Sequence, residues 1–214
     1  MRIAKLVAAI LLFAAGALSE ETQLSKLPDF SAIEVRPGGR GEMAWKIYHS
    51  GNKLRLDMST SGAAIFDTKA DKAYHLMIFP EKTVCVEMSL QKSQVMRSPL
   101  QMVFRGKMEI TPAGTETMDG HTYTVEKIIT TTAKGETINS KIWLADDLKG
   151  APAKVEVHMG ERTFTATYRD IKPGTPDPAL LKPQVKCIPE DKMYQVAPPP
   201  PAKGDASQPE PKNP

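Results

Sequence analysis

The middle of the chain alternates apolar and polar residues in short runs separated by turn residues. In one run, Leu54, Leu56 and Met58 occupy one face, and Arg55 and Asp57 occupy the other. This period of two is typical of a β-strand that is buried on one side. Comparable runs, bounded by Gly, Asn, Ser, Asp and Pro, occupy residues 43–48, 64–67, 73–79 and 83–88. Their spacing of about ten residues predicts an antiparallel meander.

The segment 89–104 breaks this pattern because it is rich in Gln, Met, Leu, Lys and Arg and has no alternation. It predicts helix, with Pro99 starting a second turn or short helix. Strands are predicted again at 107–111 and in two hairpins, 123–132 with 136–144 and 153–158 with 162–171. Roughly nine or ten strands with one or two helices predict a mainly β fold with minor α structure. A strongly curved, open antiparallel sheet of this kind must cover its apolar face, and one or two short helices are the natural cover.

The first 19 residues have the three parts of a secretory signal peptide. Arg2 and Lys5 are positive, residues 6–15 are apolar, and Ala17 and Ser19 place small residues at the −3 and −1 positions of a cleavage site. The apolar run is too short for a retained anchor, which needs about 20 residues. We therefore expect cleavage after Ser19, export to the periplasm, and no integral membrane segment in the mature chain.

The mature chain divides into three parts by composition. Residues 20–28 form a lead segment, residues 29–195 form the sheet domain, and residues 196–214 form a tail. Seven of the 18 prolines lie in 198–214, where almost no apolar side chain is present, so the tail is predicted to be disordered.

The charge balance argues against nucleic acid as a partner. Removing Arg2 and Lys5 leaves 28 − 2 = 26 basic side chains against 25 acidic ones, a net charge of +1. A protein that binds nucleic acid through the phosphate backbone needs a basic patch, and this balance predicts none.

Catalytic and metal-binding patterns do not emerge from the sequence. The four histidines have no metal-ligand spacing, and the chain has no HExxH, CxxC, GxSxG or phosphate-binding glycine loop. We therefore predict no enzyme activity, no metal and no cofactor. Cys85 and Cys187 are either a disulfide, which an exported compartment permits, or two unpaired buried thiols.

The mature chain is well supplied with methionine, a flexible and polarizable residue that adapts to ligands of variable shape. Ordinary core filling is the alternative explanation for any one of them. The ten are Met43, Met58, Met77, Met88, Met96, Met102, Met108, Met118, Met159 and Met193.

The run from Gly41 to Met58, GEMAWKIYHSGNKLRLDM, resembles the opening strands of the LolA-like group of outer-membrane lipoprotein-sorting proteins. Segments 114–121, 141–145, 151–154 and 168–183 agree with the same group and with a related family of uncharacterised exported proteins. The resemblance implies a bent, half-barrel antiparallel sheet with helices in its apolar face. It also implies that the protein shields lipoprotein acyl chains, and that Arg55 matches an early-strand arginine that helps hold the lid closed.

These observations predict a periplasmic, non-enzymatic carrier or binding protein for lipoprotein acyl chains or another lipid. One alternative is an envelope-stress sensor that binds lipid or lipoprotein and signals to a membrane protein partner. A third is an enzyme or a purely structural envelope protein. The expected ligand-binding residues belong to the wall, Trp45, Ile47, Leu54, Leu56 and Met58, and to the cover, Met96, Leu100, Met102 and Phe104. Arg55 joins this set as the match to the arginine that helps hold the lid closed.

Overall fold

The computed structural model describes residues 23–39, 41–58, 62–90, 98–118, 120–132 and 134–195. The predicted signal peptide (1–19), the start of the lead segment (20–22), Met96 and the proline-rich tail (196–214) lie outside the described residues. Their predictions therefore stay predictions.

Strands dominate the described residues, with one α-helix among them. The strands before the helix are β1 (Phe30–Gly38), β2 (Gly41–Ser50), β3 (Lys53–Asp57), β4 (Gly62–Asp67), β5 (Lys72–Ile78) and β6 (Thr83–Ser89). The helix is α1 (Pro99–Val103). The strands after it are β7 (Gly106–Met118), β8 (His121–Thr132), β9 (Thr137–Ala145), β10 (Ala151–Met159), β11 (Arg162–Pro173) and β12 (Cys187–Pro189). Short 3₁₀ turns occupy Gln23–Lys26, Asp146–Leu148 and Glu190–Gln195.

All twelve strands of the described chain belong to one sheet, in the order β12-β6-β5-β4-β3-β2-β1-β11-β10-β9-β8-β7. Neighbouring strands are antiparallel except β12, which pairs with β6 in parallel. The order is linear, so within the described residues β12 and β7 are free edges and the sheet is not closed. The predicted fold class, a mainly β protein with an open curved sheet and a short helical cover, is confirmed.

Four elements differ from the prediction. Strand β1 was not predicted, and β7 runs from Gly106 to Met118 rather than over 107–111. Strand β12, which follows the last predicted hairpin, was also not predicted. The segment 89–104 contributes a helix of only five described residues.

The alternation of β3 defines the two faces of the sheet. Leu54 and Leu56 are buried on the face against which α1 packs, here called the inner face. Arg55 and Asp57 point to the opposite side, the outer face. The same two faces continue onto the neighbouring strands, because Leu56 pairs with Ile47 on β2 and with Ala64 on β4. The sequence pattern thus decides which side chains the sheet turns toward its cover.

A C-terminal segment, residues 174–186, leaves β11 and crosses the outer face to the β6 edge. The first two residues of this segment are hydrogen-bonded to Asp29. The Gly174 amide donates to the Asp29 carbonyl at 2.8 Å, and Thr175 Oγ1 donates to Asp29 Oδ2 at 2.7 Å. Farther along, Arg55 Nη1 donates to the Leu180 carbonyl at 2.9 Å. The segment ends at Cys187, which forms a disulfide with Cys85 on β6. This is one of the two alternatives that the sequence left open.

Candidate functional site

The inner face is a continuous apolar surface that extends across most of the sheet. Its buried members come from nine strands and from the cover, because each strand places alternate residues on this side. They include Phe30, Ala32, Ile47, Leu54, Leu56, Ala64, Phe66, Ala73, Ile128, Ile138, Ile142, Val155, Val157, Ala166 and Tyr168 from the sheet, with Leu24, Leu100, Met102 and Val103 from the cover.

The cover is small relative to this surface. Helix α1 has five residues, all buried, and Pro99 stands in its first turn, where its fixed φ suits a helix start. A helix this short is unstable alone, so its packing on the sheet must hold it. At its C-terminal end, Thr130 Oγ1 on β8 donates to the Val103 carbonyl at 2.7 Å.

At its N-terminal end the cover is joined to the sheet through a buried carboxylate. Ser98 Oγ and Tyr168 Oη both donate to Glu34 Oε2, the tyrosine at 3.1 Å. Glu34 Oε1 lies 3.2 Å from Arg36 Nε, and the Arg36 guanidinium carbon lies 3.6 Å above the Trp45 ring. We call Glu34, Arg36, Ser98 and Tyr168 the Glu34 cluster.

Burial dominates the electrostatics of this cluster. It raises the pKa of Glu34 above its ordinary 4.5, although hydrogen bonds from Ser98 and Tyr168 and the charge of Arg36 act to lower it. Burial likewise lowers the pKa of Arg36, against the attraction of Glu34. The pKa of Tyr168 is raised well above 10.0, by burial first and by Glu34 second. The cost of burying charge therefore outweighs the ion-pair attraction at this site.

A narrow cavity lies between the cover and strands β3 and β4. Its volume is about 10 Å³, close to the minimum that accommodates one water molecule. Gln101 of α1 lines it and is buried. The other lining residues are Leu24, Leu54, Phe66, Thr68, Leu90, Phe104 and Arg105.

Most residues that the sequence predicted as wall or cover lie close together on the inner face. Ile47, Leu54 and Leu56 lie in one buried cluster with Leu100 and Met102 of the cover. Phe104 packs against that cluster and is partly buried. Trp45 shares the face of Ile47 but stacks on Arg36, and Met58 is buried two positions beyond Leu56. Whether these side chains contact a ligand is a proposal, made below.

Arg55 is placed apart from these residues, on the outer face. Its Nε lies 2.5 Å from Asp57 Oδ1, and its Nη1 binds the Leu180 carbonyl. The resemblance implied that this arginine holds the lid closed. In the structure Arg55 instead holds the C-terminal segment, because strand alternation turns it away from Leu54 and Leu56.

The sequence did not point to the Glu34 cluster or to Gln101. The one available signal is the spacing Ala32-x-Glu34-x-Arg36, which puts a carboxylate and a guanidinium on the face of an apolar residue. Because strand β1 was not predicted, that spacing did not indicate which face of a sheet Glu34 and Arg36 would occupy. Tyr168, 134 residues from Glu34, becomes its partner only through the β1–β11 pairing.

No group of three or more His, Cys, Asp or Glu side chains that could hold a metal ion occurs in the described part of the chain. His49, the most buried histidine, has both ring nitrogens 2.9 Å from the carbonyls of Pro28 and Gly51, which fastens the lead segment to β2. Burial lowers its pKa. No helix among the described residues has the length and apolar character to cross a membrane.

Comparisons with known proteins find similarity in solved structures and nowhere else. No protein-family model matches the chain, and no curated protein matches it. The Pseudomonas aeruginosa MucA/MucB complex is 13% identical over 76% of this chain and 58% of that chain, with a TM-score of 0.38. LprF from Mycobacterium bovis is 11% identical over 75% of this chain and 94% of that chain, with a TM-score of 0.34.

The LolA-like group, which the sequence motifs resemble, is also among the structures found. A LolA superfamily protein from Nitrosomonas europaea is 10% identical over 76% of this chain and 94% of that chain, with a TM-score of 0.31. The chain spans 58–61% of the length of two MucB chains that it matches. Sequence identities and TM-scores this low compare the arrangement of the strands and carry no information on ligands.

Proposed function

We propose that this chain is a periplasmic, non-enzymatic carrier or binding protein that holds an acyl chain, from a lipoprotein or another lipid, against the inner face of its sheet. One observation carries the proposal: a wide apolar face is covered by a five-residue helix. Among the described residues, side-chain hydrogen bonds join this cover to the sheet at Ser98 and at the Val103 carbonyl, so a ligand has to displace only a short element.

Transfer of a hydrocarbon chain to this face needs no directional partner. Each methylene removed from water contributes about 0.8 kcal/mol, so a chain of about ten methylenes binds measurably if the cover moves at small cost. The cavity of about 10 Å³ is too small for such a chain. Ligand entry therefore requires α1 to move off Leu54 and Phe66, and the ligand takes over the contacts that α1 gives up.

The periplasmic placement is supported by two features. The predicted signal peptide directs export, and the Cys85–Cys187 disulfide suits an oxidising compartment.

The second candidate is a sensor that reports bound lipid or lipoprotein to a membrane protein partner. It is favoured by a groove of about 370 Å³ on the outer face, lined by Ala44, Lys46, Arg55, Asp57, Gly62, Ala63 and Ile78. Ile78 is half exposed there. A partner in this groove and a ligand on the inner face would occupy opposite sides of the same strands.

A displacement assay with a fluorescent fatty acid tests the carrier proposal. Wild-type protein should bind the probe saturably, and Leu56→Glu, which puts a charge on the inner face, should abolish binding. Ile129→Glu is the matched control, because Ile129 is exposed and lies on the outer face. Circular dichroism shows whether each variant keeps its sheet. If wild-type protein binds no acyl probe or acylated peptide, the carrier proposal fails.

A further inference from the structure

Gln101 is a buried polar side chain that lacks a hydrogen-bond partner among the described residues. It is 5% exposed, and neither its Oε1 nor its Nε2 has a hydrogen bond to any described residue. Buried polar atoms in proteins are nearly always paired. An amide side chain can donate two hydrogen bonds and accept two, so its lack of a partner among the described residues, beside a cavity, points to a bound group that would pair with it.

The surroundings of Gln101 are apolar on the side of the sheet. Leu24, Leu54, Phe66 and Phe104 contribute apolar side chains to the lining of the cavity. The polar residues at its edge have partners, since Arg105 Nη2 donates to the Leu90 carbonyl at 2.9 Å and Thr68 Oγ1 donates to the Asn52 carbonyl at 3.1 Å. Gln101 is thus an amide without a partner among the described residues, in a cavity whose lining is mostly apolar.

We propose that Gln101 recognises the neutral linkage of an acylated ligand, preferring an N-acyl amide over an ester. This inference rests on the proposed function. A secondary amide offers a carbonyl to the Gln101 Nε2 donor and an N–H to its Oε1 acceptor. An ester offers only the carbonyl, so it leaves the Gln101 Oε1 acceptor unpaired.

The position of Gln101 on the cover suits this role. The cavity holds no more than about one water molecule, so α1 must move to admit a chain and then settle over it. Gln101 moves with α1. The Gln101 amide therefore pairs with the linkage as the cover closes, while Leu54 and Phe66 contact the methylenes of the acyl chain.

Displacement of the fluorescent fatty acid by N-methyldodecanamide and by methyl dodecanoate tests the inference, because the two competitors share one chain and differ in the linkage. Wild-type protein should bind the amide more tightly. Gln101→Leu should weaken amide binding about three- to tenfold for each of the two hydrogen bonds that it removes, and it should reduce the preference over the ester. The same variant should raise the thermal midpoint of the free protein, because an unpaired buried amide is removed.

Gln101→Met, which keeps the length of the side chain without its amide, repeats the test if leucine does not fit the site. Asn139→Leu is the control, since it makes the same kind of change at an exposed position of β9. Equal affinities of wild type and Gln101→Leu for the amide would overturn the role of Gln101 and leave the carrier proposal intact. Failure of the wild type to bind any acyl probe would overturn both.

Discussion

Glu34 joins more of the molecule than any neighbouring polar residue on β1. Its carboxylate accepts hydrogen bonds from Ser98, at the start of the cover, and from Tyr168 on β11, and it faces Arg36 on its own strand. Because it is fully buried, its charged form is costly. One of the links between cover and sheet therefore includes a group whose ionisation is costly in the folded state.

This cost of ionisation predicts how stability varies with pH. A carboxyl group whose pKa is raised by folding binds its proton more tightly in the folded state. Its contribution to stability is complete below the unfolded pKa, near 4.5, and is lost as pH rises through the folded pKa. Glu34→Gln cannot ionise, so the fall in unfolding free energy between those two values should disappear. Urea denaturation from about pH 4 to about pH 8 measures it. An unchanged fall in the variant would show that another group is responsible.

Residue-level prediction from the sequence succeeded where burial follows alternation. Leu54 and Leu56 are buried and Arg55 and Asp57 are not, as the period of two on β3 requires. It failed for Glu34 and Gln101, because a charged or amide residue gives no sign of burial in its own sequence. Their burial depends on β11 and α1, which lie far along the chain and meet β1 only in the folded sheet.

At the scale of elements, α1 is the part of the fold that depends most on its neighbours. Five residues cannot form a stable helix unaided, and its contacts are with β9, β10 and β11 and, through Val103, with Thr130 of β8. The cover is therefore the element that local substitutions should loosen first.

Thr130→Val tests that expectation, because valine keeps the shape of threonine and removes the hydroxyl that binds the Val103 carbonyl. We expect a loss of about 1–3 kcal/mol in the free energy of unfolding if that carbonyl stays buried without a donor. Hydrogen exchange of the α1 amides should accelerate, and association of the acyl probe should be faster. Thr131→Val, at an exposed position one residue away, should change none of these. Unaltered exchange in Thr130→Val would mean that apolar packing alone holds the cover.

The strands that the sequence missed in whole or in part lack the alternation of apolar and polar residues on which the prediction relied. In β1, Glu34 and Arg36 occupy the apolar face and Pro37 follows. Strand β7 is exposed along most of its length, and a bulge between Pro112 and Gly114 breaks its register. Strand β12 is three residues long. Each strand exists because a neighbouring strand pairs with it, which no local pattern records.

For the molecule as a whole, the C-terminal segment ties the centre of the sheet to one edge. It leaves β11, crosses the outer face near Arg55, and adds β12 to β6. Beneath it the outer face carries a small cluster of its own, Ala63, Ile65 and Leu76 with Tyr74 packed against them. Residues of β4 are thus buried on both faces, which explains why this short strand has no polar position before Asp67.

The disulfide fixes the far end of this segment. Cys85 and Cys187 are 102 residues apart in sequence and their Cα atoms lie 4.4 Å apart. Closing a loop of that length restricts the unfolded chain and stabilises the fold by about 4–5 kcal/mol on the chain-entropy model. Labelling of denatured, unreduced protein should find no free thiol, and the double variant Cys85→Ser with Cys187→Ser should lose stability of that order.

The same double variant tests separately how each end of the C-terminal segment is held. Without the bridge, β12 keeps only its short parallel pairing with β6, so proteases should cut near residues 182–190 sooner than in wild type. The other end should stay in place, because Asp29 still binds Gly174 and Thr175. Acyl-probe affinity should be unchanged, since the segment lies on the outer face. A parallel loss of probe binding would mean that the segment supports the inner face through strands β3 to β6, and that the two faces are coupled.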